Sequence, residues 1–132
     1  MDILNILVFL FLVIFMPIFD YFIYLKREMN IWNPIINKIK NGRITPMRKI
    51  LILPIYLILA FSIMYLPNNV YEAMLLGFVA YSTFDLTIGV LFKDITYTMM
   101  IKDIIWGSIF FGITYKLKNF ILKRLNKKNT KI

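Results

Sequence analysis

The chain has 132 residues, 60% of them hydrophobic and 17% charged, with a formal net charge of +9; that apolar share lies far above the roughly half-apolar average of soluble domains. Four membrane spans of about 20 residues each would use about 80 residues and leave no length for a separate soluble domain. There is no cysteine and no histidine, which excludes disulfides, thiolate or imidazole metal sites, haem ligation by His and every His-based catalytic triad.

The first apolar segment, 3–25, is almost uninterrupted Leu, Ile, Val and Phe as far as Phe15, then meets Pro17 and Asp20. Met1-Asp2 supplies no basic n-region and the bulky run continues past signal length, so this segment is expected to be a retained anchor. Residues 26–49 are too polar to span and too long for a tight hairpin. Within them Ile31, Trp32, Ile35, Ile36 and Ile39 recur at three- and four-residue spacing, which predicts a short interfacial helix with Trp32 at headgroup level. The second segment, 50–66, carries Pro54 in its first turns, where a proline disrupts little, and stops at the turn signal Pro67-Asn68-Asn69. The third and fourth segments are 70–92 and 98–115; the fourth is the least hydrophobic because Lys102 and Asp103 fall in its first turns.

These four segments make residues 1–117 a transmembrane domain, followed by a basic amphipathic tail, 118–132. In the tail Leu117, Phe120, Ile121 and Leu125 fall largely on one side, and Lys116, Lys118, Lys123, Arg124, Lys127 and Lys128 largely on the others. Such a helix is expected to lie on anionic lipid headgroups, each basic group contributing on the order of 1 kcal/mol, and to be dispensable for folding. The positive charge therefore points to lipid and not to nucleic acid. Of 16 Lys and Arg, seven lie in the first loop and seven in the tail, all flanking apolar segments. With four spans these two groups fall on opposite faces. Adding Lys93 and Lys102 to the loop side gives nine against seven, and together with the usual dominance of the first helix this favours a cytoplasmic first loop.

Any chemistry has to come from polar residues inside the apolar segments. Three of the seven acids, Asp20, Asp85 and Asp103, fall there, where a charge costs several kcal/mol and is normally turned inward. In the third segment Gly77, Tyr81, Asp85 and Gly89 recur every four residues and share a helical face, with Ser82, Thr83 and Thr87 close by. In the fourth, Asp103, Gly107 and Phe111 form one stripe flanked by Trp106. Small residues at this spacing let helices approach closely, so Gly77, Gly89 and Gly107 are read as packing positions and the two stripes as facing each other. Asp20, with Tyr21 and Tyr24 after it, is expected to complete a cluster with Tyr56 of the second segment.

The stretch Gly77-Phe78-Val79-Ala80-Tyr81-Ser82-Thr83-Phe84-Asp85-Leu86-Thr87, followed by Lys93 and by Asp103-Ile104-Ile105-Trp106-Gly107-Ser108, resembles a bacterial family of small four-helix predicted membrane proteins of unknown function. The family pattern has an aromatic-Asp-Leu-Thr-Asn core in the third helix, a Lys-Gly-Trp-Pro turn, and an Asp-x-x-Trp-Gly-Thr core in the fourth. An Asp within the first helix, here Asp20, and an aromatic-rich second helix, here with Tyr56, are similar too. Ile88 stands where the pattern has Asn, and Ile95-Thr96 replace Trp-Pro. The resemblance implies the architecture and the three-aspartate constellation, and it carries no known activity.

The sequence thus predicts an all-α integral membrane protein, multi-pass, built as a four-helix bundle with an interfacial segment and a basic amphipathic C-terminal tail. The polar cluster is expected to comprise Asp20, Tyr56, Tyr81, Asp85, Thr87, Asp103 and Trp106. No metal and no cofactor is expected, and the bilayer is the expected partner, with a homo-oligomer or a membrane-protein partner left open. Three functions are compatible with these residues: a proton- or cation-linked transporter or channel using the Asp/Tyr cluster, a structural or assembly subunit, and a lipid-modifying or lipid-binding protein.

Overall fold

A backbone surrounded by lipid must satisfy its own hydrogen bonds, and helices do this over most of the described residues. The computed structural model describes residues 2–39 and 49–130, and among them there is no strand. Lys40, Arg43 and Arg48 of the basic first loop, and Lys131 of the tail, lie outside the described residues. Helix α1, Ile3–Asp20, passes without a break through a π-helical turn, Tyr21–Leu25, into α2, Lys26–Ile39. Together they form one helical run of 37 residues, about 55 Å long at 1.5 Å per residue. A short 3-10 turn, Lys49–Leu51, leads into α3, Ile52–Tyr65. Helix α4 is Val70–Leu91 and α5 is Tyr97–Asn129. The runs Ile3–Ile39 and Val70–Leu91 are each long and apolar enough to cross a membrane, and α4, at about 33 Å, matches the hydrocarbon thickness.

Helix α5 holds the bundle together. Helix α4 lies antiparallel along it, while α1 and α3 pack on each other and on α5. The core they share draws Val8, Leu12 and Met16 from α1, Ala60 and Ile63 from α3, Ala73 from α4, and Phe110 and Phe111 from α5, none more than 1% exposed. An aromatic column of Phe11, Phe15 and Phe19 on α1 stacks onward to Trp106 and Phe110 of α5. The outer faces present Leu7, Leu10, Ile14, Ile58, Phe61 and Leu75, an apolar covering that suits lipid and would be a liability in water.

Both tight connections are capped by the residues that create them. The Asn69 side chain accepts from the Glu72 backbone N–H at 3.0 Å, and the Glu72 carboxylate accepts from the Asn68 N–H and from both asparagine amides. This reciprocal cap starts α4 one turn after α3 ends. Thr96 starts α5 in the same way, its hydroxyl oxygen accepting from the Met99 N–H.

The end of α3 has a less ordinary cap. Pro67 stands four residues after Ile63 and has no N–H, so the Ile63 carbonyl loses its normal helical donor. Lys118 of α5 supplies the missing bond, its buried ammonium donating to the Ile63 oxygen at 3.3 Å while lying 4.3 Å from the Tyr115 ring centroid. A cation at a helix C-terminus is also favoured by the helix dipole. Lys118→Met keeps an unbranched apolar stem and removes the ammonium with its charge and bond. It is expected to cost about 1.5–3 kcal/mol, read as a lowered unfolding midpoint in detergent, with Lys118→Arg closer to wild type.

The same helix alters the expectation for the tail. No glycine or proline interrupts α5 after Gly112, so residues 118–129 continue the helix in line and do not fold back as a separate element onto a surface. Part of the apolar side of the tail is occupied, since Ile121, Leu122 and Leu125 pack against the core while Phe120 stays exposed. Lys118 and these three residues tie the tail to the fold, against the expectation that it is dispensable.

Candidate functional site

The packing of α4 on α5 sets the site. At Gly77 a methyl group would overlap the Gly107 carbonyl and the Phe111 side chain; at Gly107 it would overlap the Tyr81 ring. The two helices are therefore in backbone contact at this level, and Tyr81 lies over Gly107 with its ring edge toward Phe111, centroids 6.3 Å apart. One turn further along, the same antiparallel register brings Asp85 to Asp103, and beyond it Gly89 to the Met100 thioether. Gly112, which the spacing of the other glycines does not single out, plays the same part against Met74.

Helix α1 adds the third acid. Asp20 is 5% exposed and accepts two hydrogen bonds, from the Tyr56 hydroxyl of α3 at 2.7 Å and from the Trp106 indole N–H of α5 at 2.8 Å. One carboxylate thus joins three helices. On a regular α-helix residues four apart drift by about 40° per step, so Asp20, Tyr24 and Glu28 would fan apart. The π-helical turn at Tyr21–Leu25 takes up that drift, as such turns do when a functional register must be kept. All three side chains then face α5: Tyr24 stacks on Trp106 with centroids 5.0 Å apart and reaches toward Asp103, and Glu28 lies 3.9 Å from the Lys102 ammonium.

The cluster so assembled is Asp20, Tyr24, Tyr56, Tyr81, Asp85, Asp103 and Trp106. Asp85 is fully buried and neither of its oxygens has a partner in hydrogen-bonding geometry; the same holds for the Tyr24 hydroxyl and one Glu28 oxygen. Thr87 lies elsewhere: it is exposed and its hydroxyl donates to the Thr83 carbonyl of its own helix. Ser82 and Thr83 likewise bond backward along α4. Tyr21, next to Asp20 in sequence, points outward. Trp32, half-buried, lines an open cavity beside α2. Glu28 was not singled out by sequence reasoning; its signal is the four-residue step from Asp20 through Tyr24, continued past the end of the apolar run.

Two cavities meet at this cluster. The first, about 440 Å³, lies between α1, α3 and α4 and is lined by Asp20, Tyr24, Tyr56, Tyr81 and Asp103 among apolar side chains. The second, about 380 Å³, lies beneath α2. Leu25, Phe84 and Asp103 belong to both walls. No three acidic groups among the described residues converge closely enough to hold a metal ion. What the cluster offers chemically is carboxylate and phenol oxygens at short range in an apolar setting.

The model of a family described as predicted membrane protein (DUF2177) matches residues 5–117. The chain belongs to that family. The DUF2177 match takes in every member of the polar cluster and both cavities, and it ends one residue before Lys118. No curated protein and no solved structure matches the chain. As a DUF2177 member this is a helical membrane protein.

Proposed function

We propose that the chain is a multi-pass membrane protein that binds and passes a proton or small cation through its Asp/Tyr cluster. The observation that carries this reading is that Asp20 and Asp103 line one cavity with three tyrosines while the surrounding walls are apolar. Ionisable groups so placed inside a membrane bundle are expensive to keep, and they commonly mark ion and proton pathways. Asp20 is oriented by Tyr56 and Trp106, each of which occupies one of its oxygens and leaves a lone pair on each for a further donor. Asp103 stands between Asp20 and Asp85 and has Tyr24 beside it. Two carboxylates at short range in a weakly screened interior repel strongly, so a proton or cation held between Asp85 and Asp103 relieves that repulsion. The phenols of Tyr24 and Tyr56 both donate and accept, which suits them to relay a proton along the cluster.

The test is flux into liposomes carrying the purified chain, followed with an entrapped pH dye under an imposed pH or potassium gradient. Wild type is expected to pass protons or a monovalent cation well above empty liposomes. Asp20→Asn and Asp103→Asn are expected to lose at least tenfold of that flux while keeping their helical circular dichroism. Wild-type flux at the level of empty liposomes, or full flux in both variants, sinks the reading. A second reading has support from one contact set: the two bonds to Asp20 join α1, α3 and α5, as a purely structural fastener in an assembly subunit would. On that reading flux is absent and Asp20→Asn alters only the stability of the bundle.

A further inference from the structure

We infer that the cavity beneath α2 binds a single-chain amphiphile with an ammonium headgroup. The proposal stands on this second cavity and does not depend on proton or cation movement through the first. The walls come from Met29, Trp32 and Ile36 of α2, from Phe84 and Ile88 of α4 and from Phe92 just after it, leaving a space of about 380 Å³ that is almost wholly apolar. That size falls within the range of pockets that hold small organic ligands. Its polar groups are Glu28 and Asp103, both acidic. One Glu28 oxygen is buried without a partner, and the other has only the Lys102 ammonium at 3.9 Å, beyond hydrogen-bonding distance. Behind Asp103 stands Asp85, fully buried, with Asp103 as its polar neighbour.

An apolar space whose wall carries Glu28 and Asp103, with Asp85 behind them and only the Lys102 ammonium to set against the three acids, selects its occupant by charge. A bare alkane leaves the acids unpaired, and a phosphate or carboxylate head is repelled by them. A zwitterionic lipid brings a phosphate along with its amine, and a second acyl chain that the cavity cannot hold. An alkylammonium places three N–H donors among Glu28 and Asp103 and lays its chain along Trp32 and Ile88. Helix α2 covers the site from outside and is fastened at its far end, where the Lys38 ammonium donates to Asp94 at 2.9 Å in the connection between α4 and α5.

The test uses the full chain in phosphatidylcholine nanodiscs and 12-bromododecylamine as probe, with 12-bromododecanol as a probe of equal chain length and no charge. Bromine at the chain end is expected to quench Trp32 saturably for the amine, and Trp32→Phe assigns the signal. Glu28→Gln is expected to weaken amine binding at least tenfold and to leave the alcohol unchanged. A Glu28→Asp variant, which keeps the charge, is expected to retain most of the affinity; with a melting profile for each variant, it separates loss of the site from loss of the fold. Three outcomes overturn the inference. These are quenching that rises linearly as simple partition into lipid does, equal affinity for amine and alcohol, and an unaltered amine affinity in Glu28→Gln.

Discussion

Gly77→Leu is expected to separate α4 from α5 and to abolish the folded bundle in mild detergent. A single methyl at this position already collides with the Gly107 carbonyl and the Phe111 Cβ, and backbone atoms cannot rotate away as a side-chain end can. Overpacking of a well-filled core costs typically 1–3 kcal/mol per insertion; here the clash involves backbone on the facing helix, and four carbons are added. The loss should exceed about 3 kcal/mol, read as a collapse of the unfolding midpoint in a denaturing-detergent titration. Gly89→Ala is the matched control. Its added methyl meets only the Met100 thioether, a flexible group that adapts, so its midpoint is expected to move by less than about 1 kcal/mol. Equal tolerance at both positions would remove the claim that backbone contact at Gly77 sets the register of the site.

The second large effect is expected at Asp20. Asp20→Leu leaves the Tyr56 hydroxyl and the Trp106 indole N–H without the acceptor they share. Interhelical hydrogen bonds in membrane proteins are worth roughly 0.6–1.7 kcal/mol each, and stranded donors add a desolvation cost of about 1–3 kcal/mol. The variant should lose about 2–4 kcal/mol, with α1 and α3 loosened from α5. Asp20→Asn is milder. Its carbonyl can accept from Trp106 while its amide donates to the Tyr56 oxygen, so the fold should persist within about 1 kcal/mol. Fluorescence of Trp106 in a Trp32→Phe background reports the change directly: a red shift and faster quenching by acrylamide are expected for Asp20→Leu, and little change for Asp20→Asn.

Much of the contact between α4 and α5 was legible beforehand, because Gly77, Tyr81, Asp85 and Gly89 repeat every four residues and only one helical face can carry them. The facing stripe of Asp103, Gly107 and Phe111 completes the register, and the four residues between Phe92 and Tyr97 leave the two helices no arrangement but antiparallel neighbours. The partner of Asp20 on α5 was not legible. Spacing within a helix says which residues share a face but not which neighbour that face meets, and the bond from Trp106 to Asp20 crosses most of the chain. The π-helical turn had no local signal, since Tyr21 to Leu25 are ordinary helix formers; its widening answers a demand for register made by α5. The packing of the tail is not legible for a related reason. Charge dominates its composition, but Lys118, Ile121 and Leu125 are counted by the fold according to the face they present, and that face meets α3 and the core. Thr87 shows the converse, a polar residue close to the cluster in sequence whose hydroxyl is content with its own helix.

Helix α5, on which α1, α3 and α4 all pack, is made after the three of them. Until residues 97–129 have been made, α1 and α3 have each other, α4 has no partner for its glycine face, and the Ile63 carbonyl has no donor. Asp20 can reach Tyr56 at that stage but not Trp106. The nascent protein therefore waits in an incomplete state, with a buried carboxylate half satisfied and a notched helix surface open to lipid or to another chain. Arrival of α5 closes these gaps together, and Lys118 reaches Ile63 only when the helix has been built well past Tyr115. Assembly is in this sense a single late event. Chains stopped short of Lys118 would leave the C-terminal end of α3 open, with the Ile63 carbonyl uncapped.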